Sequence, residues 1–115
     1  MKQTKLMAGA GAVLGIALGF ASSGASAQLD DKAALAIMNK AACSACHTVD
    51  KKGVGPSYKE VSAKRKGQKD SAIVLADKIR KGGSGIYGQI PMPGNPADKV
   101  SDEEVKQMVT WILSK

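Results

Sequence analysis

Beyond residue 28, apolar side chains recur at helical spacing in four places. Ala34, Ile37, Met38 and Ala41 share one face of a segment that opens at Asp30 and is predicted to run as a helix to Cys43 or Cys46. Asp30 and Asp31 suit its positive N-terminal end. A short helix is predicted from Tyr58 to about Arg65, with Val61 inward and Gly67 ending it. Asp70 is a good N-cap for a third, reaching Lys81, with Ala72, Leu75, Ala76 and Ile79 as its apolar face and Gly82 as its stop. The fourth has the strongest local signals. Ser101 and Glu104 form a capping box, Val100 and Val105 a hydrophobic staple across it, and Val105, Met108, Trp111 and Ile112 one apolar face. Residues 48–57 read as a loop broken by Gly53, Gly55 and Pro56, and 82–96 as a second loop with no periodicity and little capacity for helix or strand. No run alternates as a sheet would. The pattern predicts an all-α domain of about four helices, the first and last packed on each other.

The start of the chain follows another logic. Lys2 and Lys5 precede an uncharged run over residues 6–20 that contains Gly9, Gly11, Gly15 and Gly19. A membrane span needs about 20 strongly apolar residues, and this run is shorter and glycine-rich. With the small residues Ala25-Ser26-Ala27 behind it, residues 1–27 read as a cleaved secretory signal peptide and 28–115 as the working domain. Export places that domain in a bacterial periplasm.

Its size matters, because 88 residues bury a limited core and such domains often need a staple or a metal. Past residue 28 the aromatic residues are only Tyr58, Tyr87 and Trp111. A large, flat, apolar cofactor would supply the missing volume; a core of aliphatic residues and methionine is the alternative. Formal net charge is +7, or +5 once Lys2 and Lys5 leave with the leader. Basic residues recur at Lys51, Lys52, Lys59, Lys64, Arg65, Lys66, Lys69, Lys78, Arg80 and Lys81. Such a surface steers a protein toward acidic partners, or simply keeps it soluble. The export signal and the absence of a nucleic-acid-binding motif argue against nucleic acid.

The chemistry is concentrated in Cys43-Ser44-Ala45-Cys46-His47, the pattern of a c-type haem attachment site. Two thiols bond the vinyl groups of the macrocycle, and an imidazole sits beneath its iron. Outside the cytoplasm two cysteines suggest a disulfide, but a staple gives no reason for this spacing or for the histidine. A thiol–disulfide module lacks the βαβ pattern that usually carries it, and a structural zinc site would be a ligand short. With haem bound, His47 is the proximal ligand, and as the only histidine it excludes bis-histidine ligation by this chain. The distal position is then Met, Lys, water or empty. Met38 and Met108 fall on apolar helix faces, where methionine is ordinary filler. Met92 stands between Pro91 and Pro93 in the second loop, where the prolines restrict the backbone. It is the candidate distal ligand, against the plainer reading of an exposed turn methionine. His/Met ligation closes the iron and leaves one-electron transfer as its chemistry. An open distal position would instead suit a haem enzyme or a gas sensor.

These features together identify a resemblance. The chain resembles the small bacterial class I cytochromes c, the periplasmic c-five-five-one and c-five-five-two type, over essentially all of residues 28–115. The resemblance rests on Cys43 to His47, Val54-Gly55-Pro56-Ser57-Tyr58-Lys59, Ile90-Pro91-Met92-Pro93, and Val100-Ser101-Asp102-Glu103 through Trp111-Ile112-Leu113. It implies about four helices wrapped around one covalently attached haem c, in a monomeric electron carrier rather than an enzyme. It implies that the Pro56 carbonyl accepts the Nδ1–H bond of His47 and that Asn95 hydrogen-bonds the sulfur of Met92. It places Tyr87 where these proteins commonly have tryptophan near a haem propionate, and Lys78 where they often have arginine, although lysine lacks the fork of a guanidinium. Gly94 replaces a second proline and is expected to loosen the Met92 loop slightly. The implied partners are redox proteins with acidic docking surfaces. These are quinol-oxidising membrane cytochrome complexes on one side and nitrite reductases or terminal oxidases on the other, with membrane contact only through them. Lys40, Lys51 and Lys52 are expected to flank the exposed haem edge.

Overall fold

The computed structural model describes residues 28–85 and 87–115, together with Gly19; the expected leader, residues 1–27, otherwise lies outside the described residues. Four α-helices follow in order: α1 (Asp31–Lys40), α2 (Tyr58–Arg65), α3 (Ser71–Lys81) and α4 (Asp102–Leu113). A 3₁₀ turn, Cys43–Ala45, lies between the first two, and a two-stranded antiparallel sheet, β1 (Gly83–Gly85) and β2 (Gly88–Met92), between the last two. The domain is all-α around that small hairpin. Among the described residues no helix is long and apolar enough to cross a membrane.

The helices start where side chains satisfy their free N–H groups. Asp30 accepts from the Ala33 N–H at 2.7 Å. Ser57 with Glu60, and Ser101 with Glu104, form complete capping boxes at α2 and α4. Asp70 occupies the N-cap of α3 without a side-chain bond. Instead Ser71, buried, donates its hydroxyl to the carbonyls of Arg65 and Gln68 and ties α3 back to α2.

The core gathers on α4. Val105, Met108, Val109, Trp111 and Ile112 are buried there against Ala34, Met38 and Ala41 of the first helical segment, Tyr58 and Val61 of α2, and Leu75 and Ile79 of α3. Met38 and Met108 are core filler. Ala72, expected on the inner face of α3, is exposed, because the buried stripe of that helix runs through Ser71, Leu75 and Ile79. The terminal helices are joined by polar contacts as well as packing. Trp111 Nε1 donates to Asp31 at 2.9 Å, Lys115 reaches the same carboxylate at 2.6 Å, and Lys40 pairs with Glu104 at 2.6 Å.

Two expectations about the backbone need correction. The first helix does not continue to Cys43; it stops at Lys40, and Ala42 takes a left-handed conformation with φ 61°. That residue turns the chain, so the cysteines lie on a separate short turn. The stretch 82–96 is not structureless, since Gly83 pairs with Met92 and Gly85 with Gly88. Apolar alternation had nothing to signal here. The ladder is made of backbone alone, and Gly83 and Gly88 take φ of 102° and 140°.

The caps and inter-helix pairs make stability depend on acid. The Lys115 ammonium and the Trp111 N–H hold Asp31 below its ordinary value of 3.8. The Ser57 backbone N–H lowers Glu60, and the Lys40 ammonium lowers Glu104, from an ordinary 4.5. Folded values depressed in this way add stability that is present above the unfolded values and lost as pH falls through the folded ones. The thermal midpoint is therefore expected to be flat from neutrality to about pH 5 and to fall steadily below it. In the double variant Glu60→Gln, Glu104→Gln that fall should be shallower; an identical acid profile would remove these carboxylates as its cause.

Candidate haem site

His47 follows Cys46, which caps the 3₁₀ turn, and its N–H donates to the Cys43 carbonyl at 3.0 Å. The loop beyond folds back under it. The Gly55 N–H donates to Cys46 O at 2.9 Å and the Tyr58 N–H to Thr48 O at 2.9 Å, which fixes Pro56 beneath the imidazole. His47 Nδ1 lies 2.7 Å from the Pro56 carbonyl. A carbonyl can only accept, so Nδ1 carries the proton and Nε2 keeps its lone pair for a metal.

Two more contacts box the ring. A Cβ on Gly55 would stand 2.4 Å from His47 Cε1 and 2.8 Å from Nδ1, so only glycine lets this loop approach so closely. The Tyr58 ring stacks on the imidazole with centroids 5.6 Å apart and planes at 24°, and itself meets Trp111 edge-on at 5.4 Å. Tyr58 is buried with its hydroxyl unpartnered, and burial pushes the phenol pKa far up. Neither Gly55 nor Tyr58 stood out in the sequence as a positioning residue. The signal was there: a Gly-Pro pair within nine residues of the histidine, followed by the start of a helix.

Cys43 and Cys46 are free thiols, both half-buried and not joined to each other. Burial pushes the Cys43 thiol up, against a smaller opposing pull from Lys99. Two unpaired thiols on one tight turn, next to an imidazole whose Nε2 is available, fit a covalently attached macrocycle. Among the described residues no three His, Cys, Asp or Glu side chains converge on a point that would hold a metal ion.

Met92 ends β2, half-buried against the core. Its segment is fixed to the end of α3. A Cβ on Gly82, whose φ is 69°, would lie 2.2 Å from Met92 O, and one on Gly94 would lie 2.7 Å from Arg80 O. Glycine at 94 thus lets the segment approach the end of α3 more closely than a side chain would allow. Asn95 is buried, and its Nδ2 donates to Ile79 O at 3.1 Å, which leaves one amide hydrogen for another acceptor.

Lys78 and Tyr87 are placed apart in character. Lys78 Nζ donates to Gly82 O at 3.3 Å and caps its own helix. Tyr87 lines an open cavity of about 510 Å³ with Lys52, Pro56, Glu60, Ala63 and Lys64. Its hydroxyl is buried, burial raises its pKa against a smaller opposing pull from the Arg65 guanidinium, and Lys64 lies 4.8 Å above the ring. Of the lysines expected around the site, Lys40 is already paired with Glu104; elsewhere on the basic surface Lys59 pairs with Asp50 and Lys81 with Asp77. Within the described residues Lys51 and Lys52 form no ion pair.

Comparison with known proteins places the chain among relatives. Residues 26–115 match the profile of the family described as cytochrome c. The chain is 54% identical over 72 residues to cytochrome c-551 of Azotobacter vinelandii, covering 63% of this chain and 84% of that protein. It is 50% identical over 72 residues to cytochrome c-552 of Hydrogenobacter thermophilus, covering 63% and 70%. Among solved structures, wild-type Nitrosomonas europaea cytochrome c552 superposes with a TM-score of 0.63 at 45% identity, over 70% of this chain and 96% of that one.

Proposed function

The chain belongs to the cytochrome c family, as an electron-transfer protein with one covalently attached haem c, and on that premise we propose a soluble periplasmic carrier. In it Cys43 and Cys46 form the thioethers, while His47 and Met92 are the axial ligands. The observation that carries this reading is the 2.7 Å contact between His47 Nδ1 and the Pro56 carbonyl, which commits one ring nitrogen and leaves the other for iron. When bound, the haem supplies a metal that changes oxidation state by one electron without making or breaking substrate bonds.

The protein's own residues do the rest. Pro56, Gly55 and Tyr58 hold the imidazole in one orientation, so little rearrangement accompanies a change of charge. Tyr58, Trp111 and Met108 keep water from the interior behind it. Tyr87 and Asn95 offer hydrogen-bond donors to the haem edge and to the Met92 sulfur. Lys78, engaged with Gly82 O, would have to leave that bond to reach a propionate.

Partners meet the segments that bear the ligands. Val54 and Ile90 are 57% and 67% exposed, one just before Gly55 and the other two residues before Met92. They give an apolar contact at which the haem edge is approached, with Lys51 and Lys52 close in sequence to steer an acidic partner toward it. The donors are quinol-oxidising membrane complexes, and the acceptors nitrite reductases or terminal oxidases. The leader 1–27 delivers the chain to the compartment that holds them.

Haem staining on a denaturing gel and optical spectra in both oxidation states test the site. A low-spin ferric spectrum with the Met-to-iron band near the infrared edge is expected. A high-spin spectrum that shifts readily with carbon monoxide would favour an enzyme or a sensor. Electron transfer to an acidic partner should slow as salt rises toward about 0.1 M and beyond, where the screening length shrinks to ~10 Å. Rates independent of salt would remove the steering role of Lys51 and Lys52.

A further inference from the structure

Arg80 sits in the last turn of α3, where the sequence shows it only as one of many basic residues. Its side chain is only 22% exposed and reaches three acceptors. Nη1 donates to Asn95 O at 3.0 Å and to Val100 O at 2.5 Å, and Nη2 to Asp102 Oδ1 at 2.5 Å. Asn95 and Val100 belong to the stretch that follows Met92, and Asp102 is the first residue of α4.

The same stretch is held at its other end by backbone. The Asn95 N–H is shared between the carbonyls of Ile79 and Arg80 at 3.1 Å each, and Gly82 and Gly94 permit approaches that no Cβ would allow. One seam thus joins residues 92–102 to the C-terminal turn of α3. Its backbone half is short-range and rigid. Its far half is held by one guanidinium together with the buried Val100 side chain. Without Arg80, the Asn95 carbonyl, in a buried residue, and that of Val100, whose side chain is fully buried, lose this donor. A buried acceptor left unpaired is costly. Opening the segment to water is the cheapest relief.

We infer that Arg80 is a positioning residue for the distal ligand. By closing the segment behind Met92 onto α3 and α4, it sets how often Met92 leaves the iron. This rests on the reading of Met92 as the distal ligand. Only a molecule in which Met92 has left can accept an added ligand at that position. The apparent affinity for a competitor therefore scales with the open population.

The test is imidazole binding to the ferric holoprotein, read from the optical spectrum. Losing hydrogen bonds from a charged donor should raise the apparent affinity of Arg80→Gln roughly tenfold. Arg80→Lys keeps the charge without the fork and should fall between Arg80→Gln and the parent; it also carries the test if Arg80→Gln does not fold. In a Met92→Ala background, where no methionine competes, Arg80→Gln should change nothing. A parent-like affinity in both Arg80 variants would overturn the inference and leave Met92 ligation standing. An equal gain in the Met92→Ala background would also overturn it, by showing that Arg80 acts elsewhere. If Met92→Ala itself kept the Met-to-iron band, the ligand reading would fail, and this inference with it.

Discussion

Replacing Met92 with alanine is expected to abolish the Met-to-iron band of the ferric protein and to lower its reduction potential. The thioether is a soft ligand that favours the ferrous state, and axial ligands command about 0.8 V of potential across haem proteins. A fall of the order of a tenth of a volt or more follows from losing it. Helix content should be little altered, since Met92 is only half-buried and its segment is held by Gly82, Gly94, Asn95 and Arg80 rather than by its own side chain. Optical titration of the potential, with circular dichroism beside it, separates the two effects. A variant that keeps the band would show that another group binds iron; Met38 and Met108, both buried in the core, are poor substitutes.

Gly55→Ala should be the most damaging small change on the proximal side. Its new methyl group would stand 2.4 Å from His47 Cε1, 2.8 Å from Nδ1 and 3.0 Å from Nε2. The ring cannot retreat easily, because Tyr58 stacks on it and Trp111 is packed against Tyr58. Either the imidazole tilts and the Pro56 hydrogen bond breaks, or the loop lifts and the Cys46 carbonyl loses the Gly55 N–H. Overpacking and a lost buried hydrogen bond together cost about 2–4 kcal/mol. Denaturant unfolding of the holoprotein should show that loss together with a shifted low-spin spectrum. Parent-like stability and spectrum would mean that the loop yields more readily than its contacts suggest.

The four helices were legible because each carries its own evidence. The Ser101–Glu104 box and the run Val105, Met108, Trp111, Ile112 announce α4 without reference to anything distant. The boundary at Lys40 was not legible. An alanine is a good helix former, and nothing local tells Ala42 to take φ 61°. The β1–β2 hairpin was hidden for a related reason, since two short glycine-rich strands show no side-chain period.

The sequence by itself determined the inventory: two thiols and one imidazole at a fixed spacing, a single methionine clamped by prolines, and four amphipathic helices. These are local facts, written in residue type and in intervals shorter than a few turns. Only the tertiary structure decided how that inventory is held. Tyr58 on His47, Gly82 and Gly94 against backbone carbonyls, and Arg80 across Asn95, Val100 and Asp102 are close approaches between segments up to 22 residues apart. No periodicity encodes such contacts, because each depends on where the packed core leaves room.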